Sequence, residues 1–387
     1  MSNPTTNFLT GGVDLSSIFM PLSRGSTYSS NTGYTVNNSD LNTIFAAYVS
    51  GTKANVTGYT VNNNDLNTIF AKYSEVGYTW NLRSAPFYPE NEVIREFATG
   101  GNYWIGGTED KYYYSNDGGV SWNTSSFTGS GSQSIDIVAV AGNYDGTLFC
   151  MSFNGTYFTS TDGGNSWTNS GSGVGDSHAM VYSNNIFITV FTTPVTCLAS
   201  YSTDGITWNN SSGFLPSNFT FLDLATDGTS NLVTIGYYSN QNQTISAYST
   251  DNGQNWNQGS DIPDGNGDSY YIAYGNGIWV ATTPYQDSRF VVSNDGKTWT
   301  KYSVNLGCFF SSITFNPTQN LFYAAYGGGS GTSNPTDACG IYKSTNGQTW
   351  SQVLSSKDYA PWILLYNEYQ DKFMGVGQSI AYSYTSI

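Results

Sequence analysis

Apolar residues in this chain come in short bursts, not long stripes. Tyr270-Tyr271-Ile272-Ala273-Tyr274 is followed by Gly275-Asn276-Gly277, then Ile278-Trp279-Val280-Ala281-Thr282, then a polar connection and Arg289-Phe290-Val291-Val292-Ser293. Val181-Tyr182-Ser183 turns through Asn184-Asn185 into Ile186-Phe187-Ile188-Thr189-Val190, and Phe315 turns through Asn316–Asn320 into Leu321-Phe322-Tyr323-Ala324-Ala325. Short β-branched and aromatic runs bounded by Gly, Asn and Asp predict strands, and the tight connections between them predict antiparallel hairpins.

A turn ending in tryptophan punctuates this pattern. Ser115-Asn116-Asp117-Gly118-Gly119 leads to Trp122, and Ser160-Thr161-Asp162-Gly163-Gly164 to Trp167. The later copies centre on Asp204, Asp251, Asp295 and Asn346, and end at Trp208, Trp256, Trp299 and Trp350. Successive copies are 45, 42, 47, 44 and 51 residues apart. A period of that size marks a repeat architecture, and four strands per repeat arranged radially make a β-propeller. Trp362–Tyr366, Lys372–Val376 and Ile380–Ser383 supply only three strands of a further repeat. Gly77-Tyr78-Thr79-Trp80 resembles the Gly-x-Thr-Trp endings, so residues near 77–84 are expected to give the missing outer strand and leave no open edge. The expected fold is therefore all-β, a seven-bladed propeller over residues 76–387 closed by an N-terminal strand.

The Ser-x-Asp-x-Gly-x-x-Trp pattern resembles the Asp box, or BNR repeat, of sialidases, xyloglucan-cleaving glycosidases, sortilin-type receptors and photosystem assembly factors. That family spans enzymes, receptors and scaffolds, so the resemblance implies a fold and no single activity. It also implies that Asp117, Asp162, Asp204, Asp251, Asp295 and Asn346 are structural turn formers at the blade periphery.

Residues 1–75 follow a different rhythm. Asp14-Leu15-Ser16-Ser17-Ile18-Phe19 recurs as Asp40-Leu41-Asn42-Thr43-Ile44-Phe45 and Asp65-Leu66-Asn67-Thr68-Ile69-Phe70, at intervals of 26 and 25. Leu41, Ile44, Phe45 and Tyr48 fall on one face of a helix, preceded by the extended segment Gly33-Tyr34-Thr35-Val36. Each of the three short helices has about nine residues, too few to stand alone in water. The stripes Leu15, Ile18, Phe19, Leu41, Ile44, Phe45, Leu66, Ile69 and Phe70 must dock on this chain or on a neighbour. The unit resembles repeats of structural proteins of large DNA viruses. It implies an anchor or assembly region that binds neighbouring copies or another structural protein.

Charge narrows the partners. The net charge is −15 with 12 basic residues, which argues against nucleic acid and anionic membranes. No stretch is long and apolar enough for membrane insertion. Met1–Asn7 lacks a basic stretch followed by an apolar core, so no secretory signal is expected, while the Thr/Asn/Tyr-rich composition suits a virion or extracellular assembly surface. Cys150, Cys197, Cys308 and Cys339 show no metal-type spacing; a Cys308–Cys339 disulfide and free thiols both remain open.

Candidate chemistry is sparse. The arginines are Arg24, Arg83, Arg95 and Arg289, too scattered for the three-arginine site of sialidases. The single histidine, His178, is expected to begin an inner strand, and no metal or cofactor site is expected. Asp261, Asp264 and Asp268 fall in a polar loop. Tyr270, Tyr285, Tyr359 and Trp362 lie at expected strand ends, where exposed rings would stack on glycan. The sequence reads as a non-enzymatic structural or adhesive protein, its head a candidate for glycan or receptor binding. The alternative is a glycoside hydrolase using a carboxylate pair on a propeller face, with Glu96 and Asp176 as its test positions.

Overall fold

The computed structural model describes residues 80–84, 96–107, 111–128, 138–153, 155–173, 175–191, 199–213, 219–238, 241–263, 271–282, 289–304, 310–326, 340–355, 361, 363–376 and 382–386, preceded by three pairs of two-residue strands. The chain forms two compact units, Met1–Thr79 and Trp80–Ile387.

The second unit is an all-β propeller of four-stranded antiparallel blades. The inner strands are Glu96–Gly100, Val138–Gly142, Ser177–Ser183, Phe219–Thr226, Ile272–Gly275, Phe310–Asn316 and Ile363–Asn367. Each packs beside the next, and the last returns to the first. Six sheets are contiguous in the chain; the seventh joins Ile363–Asn367, Lys372–Val376 and Tyr382–Ser386 to Trp80–Ser84. Tyr382 pairs with Ser84 and Ser386 with Trp80. The ring is thus six contiguous blades plus one composite sheet completed by the N-terminal strand Trp80–Ser84.

The turns follow from their residues. Asn184 and Asn185 (φ 49° and 63°) and Asn276-Gly277 (51° and 77°) take the left-handed region that two-residue hairpins require. In each motif turn the serine and the acid tie up the loop backbone. Ser202 Oγ donates to Asp204 Oδ1 at 3.0 Å and accepts the Gly205 N–H at 2.8 Å, while Asp204 Oδ1 accepts from Ile206 and Thr207 N–H at 2.8 and 2.7 Å. Asn346 Oδ1 takes the same position, accepting from Gln348 and Thr349 N–H at 2.9 and 3.1 Å.

These turns also fasten neighbouring blades. A Cβ on Gly164 would run into Ile105, on Gly205 into Cys150 and Thr159, on Gly253 into Ile188, on Gly296 into Val233 and on Gly347 into Val280. In every case the neighbour belongs to the preceding sheet. Gly118, in the first sheet, faces the Lys372 ammonium of the composite one, a side-chain tip that can move aside. The motif tryptophans add to it: Trp208 stacks on Tyr157 at 4.1 Å and Trp350 on Phe290 at 4.2 Å. Such pairs contribute about 1 kcal/mol each beyond their buried area.

Two sheets carry a fifth strand that the sequence reading did not include. Ser126–Thr128 leaves the first sheet and pairs in parallel with Ser166–Thr168, and Ser212–Gly213 leaves the third and pairs with Asn255–Trp256. The tryptophans of the two covered outer strands, Trp167 and Trp256, are 0% and 1% exposed, whereas Trp122, Trp208 and Trp350 are half-buried.

In the first unit Leu9–Thr10 pairs with Val13–Asp14, Thr35–Val36 with Ser39–Asp40, and Thr60–Val61 with Asn64–Asp65. Each pair ends on the aspartate of a D-L-x-x-I-F motif. Thr35-Val36 is extended, as expected. The expected helices, with Leu15, Ile18, Phe19, Leu41, Ile44, Phe45, Leu66, Ile69 and Phe70, lie outside the described residues, among which there is no helix.

Gly205 and Gly228 separate the backbone cost from the packing cost. Both have positive φ (70° and 79°), but nothing lies within 4 Å of a Cβ at Gly228. Gly228→Ala is expected to cost about 1 kcal/mol, the left-handed penalty alone. Gly205→Ala is expected to cost about 2–4 kcal/mol by urea denaturation, because overpacking adds to it. Equal losses would show that the turn does not press on the preceding blade.

Candidate functional site

The described polar groups of most chemical interest gather where the inner strands begin. His178 lies at the start of Ser177–Ser183, Glu96 opens Glu96–Gly100, Asp223 lies within Phe219–Thr226 and Tyr271 immediately precedes Ile272–Gly275. Counted back from their first turns these positions fall within a residue or two of one another. The inner strands run side by side in one direction around the axis, so the four residues share one end of the propeller channel. Glu96 comes from the first sheet; His178, Asp223 and Tyr271 come from the third, fourth and fifth.

Bulges lie beside two of these groups, His178 and Asp223. The register shifts between Ser177 and Ala179, between Phe221 and Asp223, and between Phe310 and Ser312. A bulge inserts one residue and re-aims the side chains beside it. Second-strand threonines satisfy the backbone thus disturbed: Thr189 Oγ1 donates to Ala179 O at 3.0 Å, Thr234 Oγ1 donates to Asp223 O at 2.7 Å, and Thr282 Oγ1 accepts the Tyr271 N–H at 3.1 Å. Bonds then cross from sheet to sheet. His178 Nε2 donates to Leu222 O at 3.2 Å, and Asp223 accepts the N–H groups of Leu224 at 2.8 Å and Ile272 at 2.9 Å. Ser312 Oγ donates to Leu364 O and accepts the Leu364 N–H, both at 3.0 Å.

The electrostatics are unusual for carboxylates. Burial holds Glu96 well above the ordinary carboxyl range, and the Asp223 charge pushes the same way. Burial lifts Asp223 to about 7, against its bonds to the Ile272 and Leu224 N–H groups. Tyr271 is pushed up to about 12 by burial, then by Asp223 and Glu96, and Tyr112 is raised by burial and by Glu96. Burial lowers His178, opposed by its bond to Leu222 O. Burial thus favours the uncharged form of all three groups, and the His178 Nδ1 is buried without a partner. Carboxyls whose proton affinity is raised in this way are candidates for acid–base roles.

The other candidates fall elsewhere. Asp117, Asp162, Asp204, Asp251, Asp295 and Asn346 sit between third and outer strands, away from the inner-strand starts. Hydrogen bonds keep the five aspartates below the usual carboxylate range. At Asp204 the Thr207 and Ile206 N–H groups lead; at Asp117, Asp162, Asp251 and Asp295 the turn donors outweigh an opposing effect of burial. Asp176, the other test position beside Glu96, is exposed, and the carboxyl that acts on Glu96 is Asp223. Asp261 is exposed and accepts from Gln243 Nε2 at 3.2 Å. Arg289 opens a third strand, and the Cys150 thiol is buried and raised by burial and by Asp204. Asp264, Asp268, Tyr270, Tyr285, Tyr359, Trp362, Arg24, Arg95, Cys197, Cys308 and Cys339 lie outside the described residues. Among the described residues no group of three or more His, Cys, Asp or Glu could hold a metal ion. No described helix is long and apolar enough to cross a membrane.

No family model and no curated protein matches the chain. Solved structures do. One chain of the mitotic checkpoint complex superposes with a TM-score of 0.57 at 12% identity, covering 81% of this chain and 94% of that one. The extracellular domain of a one component system from B. thetaiotaomicron gives 0.55 at 10% identity, covering 80% of this chain and 40% of that one. The GH74 xyloglucanase from Xanthomonas campestris gives 0.53 at 12% identity, covering 78% and 53%. At these identities the likeness is one of fold, and the chain spans about half the xyloglucanase or less of the sensor protein.

The two sets of carboxylates oppose each other in pH. The turn aspartates, lowered in the folded state, stabilise it above about pH 4 and lose that contribution as pH falls. Asp223, raised when folded, does the reverse: between its unfolded value and about 7 the folded state holds a proton the unfolded chain has released, so stability falls as pH rises. Asp223→Asn is expected to flatten the fall between pH 5 and 7.5 by about one proton's worth, roughly 1.4 kcal/mol per pH unit at most. Urea midpoints across that range check it; an unchanged pH slope would place Asp223 in a solvated setting.

Proposed function

We propose that the protein is a non-enzymatic structural or adhesive protein. The propeller is a head displayed on an assembly such as a virion, fibre or filament, and the N-terminal unit tethers or polymerises it. The observation that carries this reading is the threefold recurrence of one hairpin, each copy ending on the aspartate of a D-L-x-x-I-F motif, in a unit distinct from the propeller. Three near-copies of a small element that cannot bury its own apolar stripe suit three equivalent pockets on neighbouring copies or another structural protein. The motif turns support reading the head as an Asp-box propeller and the composite sheet as its seventh blade. Glycan or receptor capture is the role such a head would serve.

The channel cluster favours a second reading. Glu96 and Asp223 offer two carboxyls at one end of the channel, one of which could act as the general acid and the other as base or nucleophile of glycoside hydrolysis, and a xyloglucanase is among the similar propellers. Turnover in a glycan hydrolysis screen, lost in Glu96→Gln and Asp223→Asn, would support that reading over the first.

The assembly reading is tested on the full chain. Wild-type protein is expected to elute as a multimer of its 42.0 kDa mass in light-scattering chromatography. Leu41→Asp/Leu66→Asp is expected to give a folded monomer. A monomeric wild type, or a variant that assembles equally well, contradicts polymerisation through these repeats.

A further inference from the structure

The end of the propeller opposite the channel cluster carries a second feature. The turns between first and second strands emerge there, together with the motif turns. Among the described large apolar side chains, only Val120, Tyr144, Ile206 and Tyr369 are strongly exposed, and two of these touch each other. Tyr144, 59% exposed, sits in the first turn of the second sheet; Tyr369, 48% exposed, sits in that of the composite sheet. They meet over the first sheet, ring centroids 5.8 Å apart and planes at 68°. The backbone beneath is fixed: Gly101 N–H donates to Tyr144 O at 2.8 Å, and Gln370 Oε1 accepts the Trp104 Nε1–H at 2.7 Å. Glu368, exposed, precedes Tyr369 in the same turn; the Tyr144 hydroxyl is raised by burial and then by the Glu368 charge, and partial desolvation raises the Glu368 carboxyl itself.

We propose that Tyr144, Tyr369 and Glu368 form a binding site for an organic cation, an alkylated ammonium or the ammonium of a lysine side chain. Two aromatic faces set at an angle make two walls of a cage, and ring faces attract cations. The carboxylate beside them matches that charge. The surroundings add to it, because Asp145, Asp227 and Asp371 occupy first turns at the same end, along with the motif aspartates, on a chain of net charge −15. The protein already makes this contact internally: Lys297 Nζ lies 4.6 Å from the centre of the Tyr248 ring. A neutral sugar would use the same rings but gain nothing from Glu368, so charge discriminates the two.

Ligand-observed NMR on the full chain at low salt tests this with choline, its neutral isostere 3,3-dimethylbutanol, a lysine-bearing peptide and a neutral oligosaccharide. Choline is expected to bind with a dissociation constant in the millimolar range, and the isostere markedly more weakly. Binding of the peptide as well would assign the site to side chains of a protein, and binding of choline alone to small amines. Tyr144→Ala, Tyr369→Ala and Glu368→Gln should each weaken choline by about two- to fivefold, and Val120→Ala, at an exposed position outside the pair, should not. Equal binding of choline and the isostere, oligosaccharide binding lost in Tyr144→Ala, or no choline binding would overturn the proposal. Each result is independent of whether the N-terminal repeats assemble.

Discussion

The ring depends on a contact made where a side chain is missing. At five of the six motif turns a left-handed glycine lies against the second strand of the preceding blade, with no room for a Cβ between them. The serine and the acid or amide of the same turn hold that glycine in place by consuming the loop's N–H groups. A blade cannot bury its own faces, so the stability of a repeat array lies largely in such interfaces. The motif is therefore an inter-blade fastener as much as a turn, which explains why the polar triad and the glycine recur together. The acid itself is replaceable: Asn346 accepts the same bonds without a charge. Closure is made by backbone pairing of Tyr382–Ser386 with Trp80–Ser84.

The outer edges are treated less uniformly. Where Ser126–Thr128 or Ser212–Gly213 crosses to the next sheet, an exposed edge acquires a partner and the motif tryptophan beneath is sealed. The blades at the other outer edges lack that described cover. The inner edges are crowded instead with bulges that turn polar groups toward the axis. The propeller thus keeps two partly buried carboxyls, Glu96 and Asp223, at one end and an exposed pair of tyrosines at the other.

Much of the fold was legible because its signals are local. Asp-Gly and Asn-Gly turns sit within a few residues of the strands they join, and the Gly-Tyr-Thr-Trp echo near residue 80 reports the closing strand directly. The crossing strands had a signal too: Trp122-Asn123-Thr124-Ser125-Ser126 and Trp208-Asn209-Asn210-Ser211-Ser212 share a Trp-Asn-x-Ser-Ser run that the other copies lack. The channel pair was half visible. Glu96 stood out as a rare glutamate, but its partner is 127 positions away, a separation that only ring geometry bridges. An acid inside Phe219-Thr220-Phe221-Leu222-Asp223-Leu224-Ala225 breaks an apolar run and marks a half-buried carboxyl. Tyr144 and Tyr369 gave no sign, since their meeting depends on two turns of sheets that are neighbours of a third.

The fastener account is tested most directly by a double-mutant cycle between Gly205 and Cys150, whose thiol is what a Cβ at Gly205 would strike. Removing that sulfur in Cys150→Ala should return part of the stability lost in Gly205→Ala, with a coupling of about 1 kcal/mol or more between the sites. Strictly additive losses would mean that the turn and the preceding blade do not press on one another.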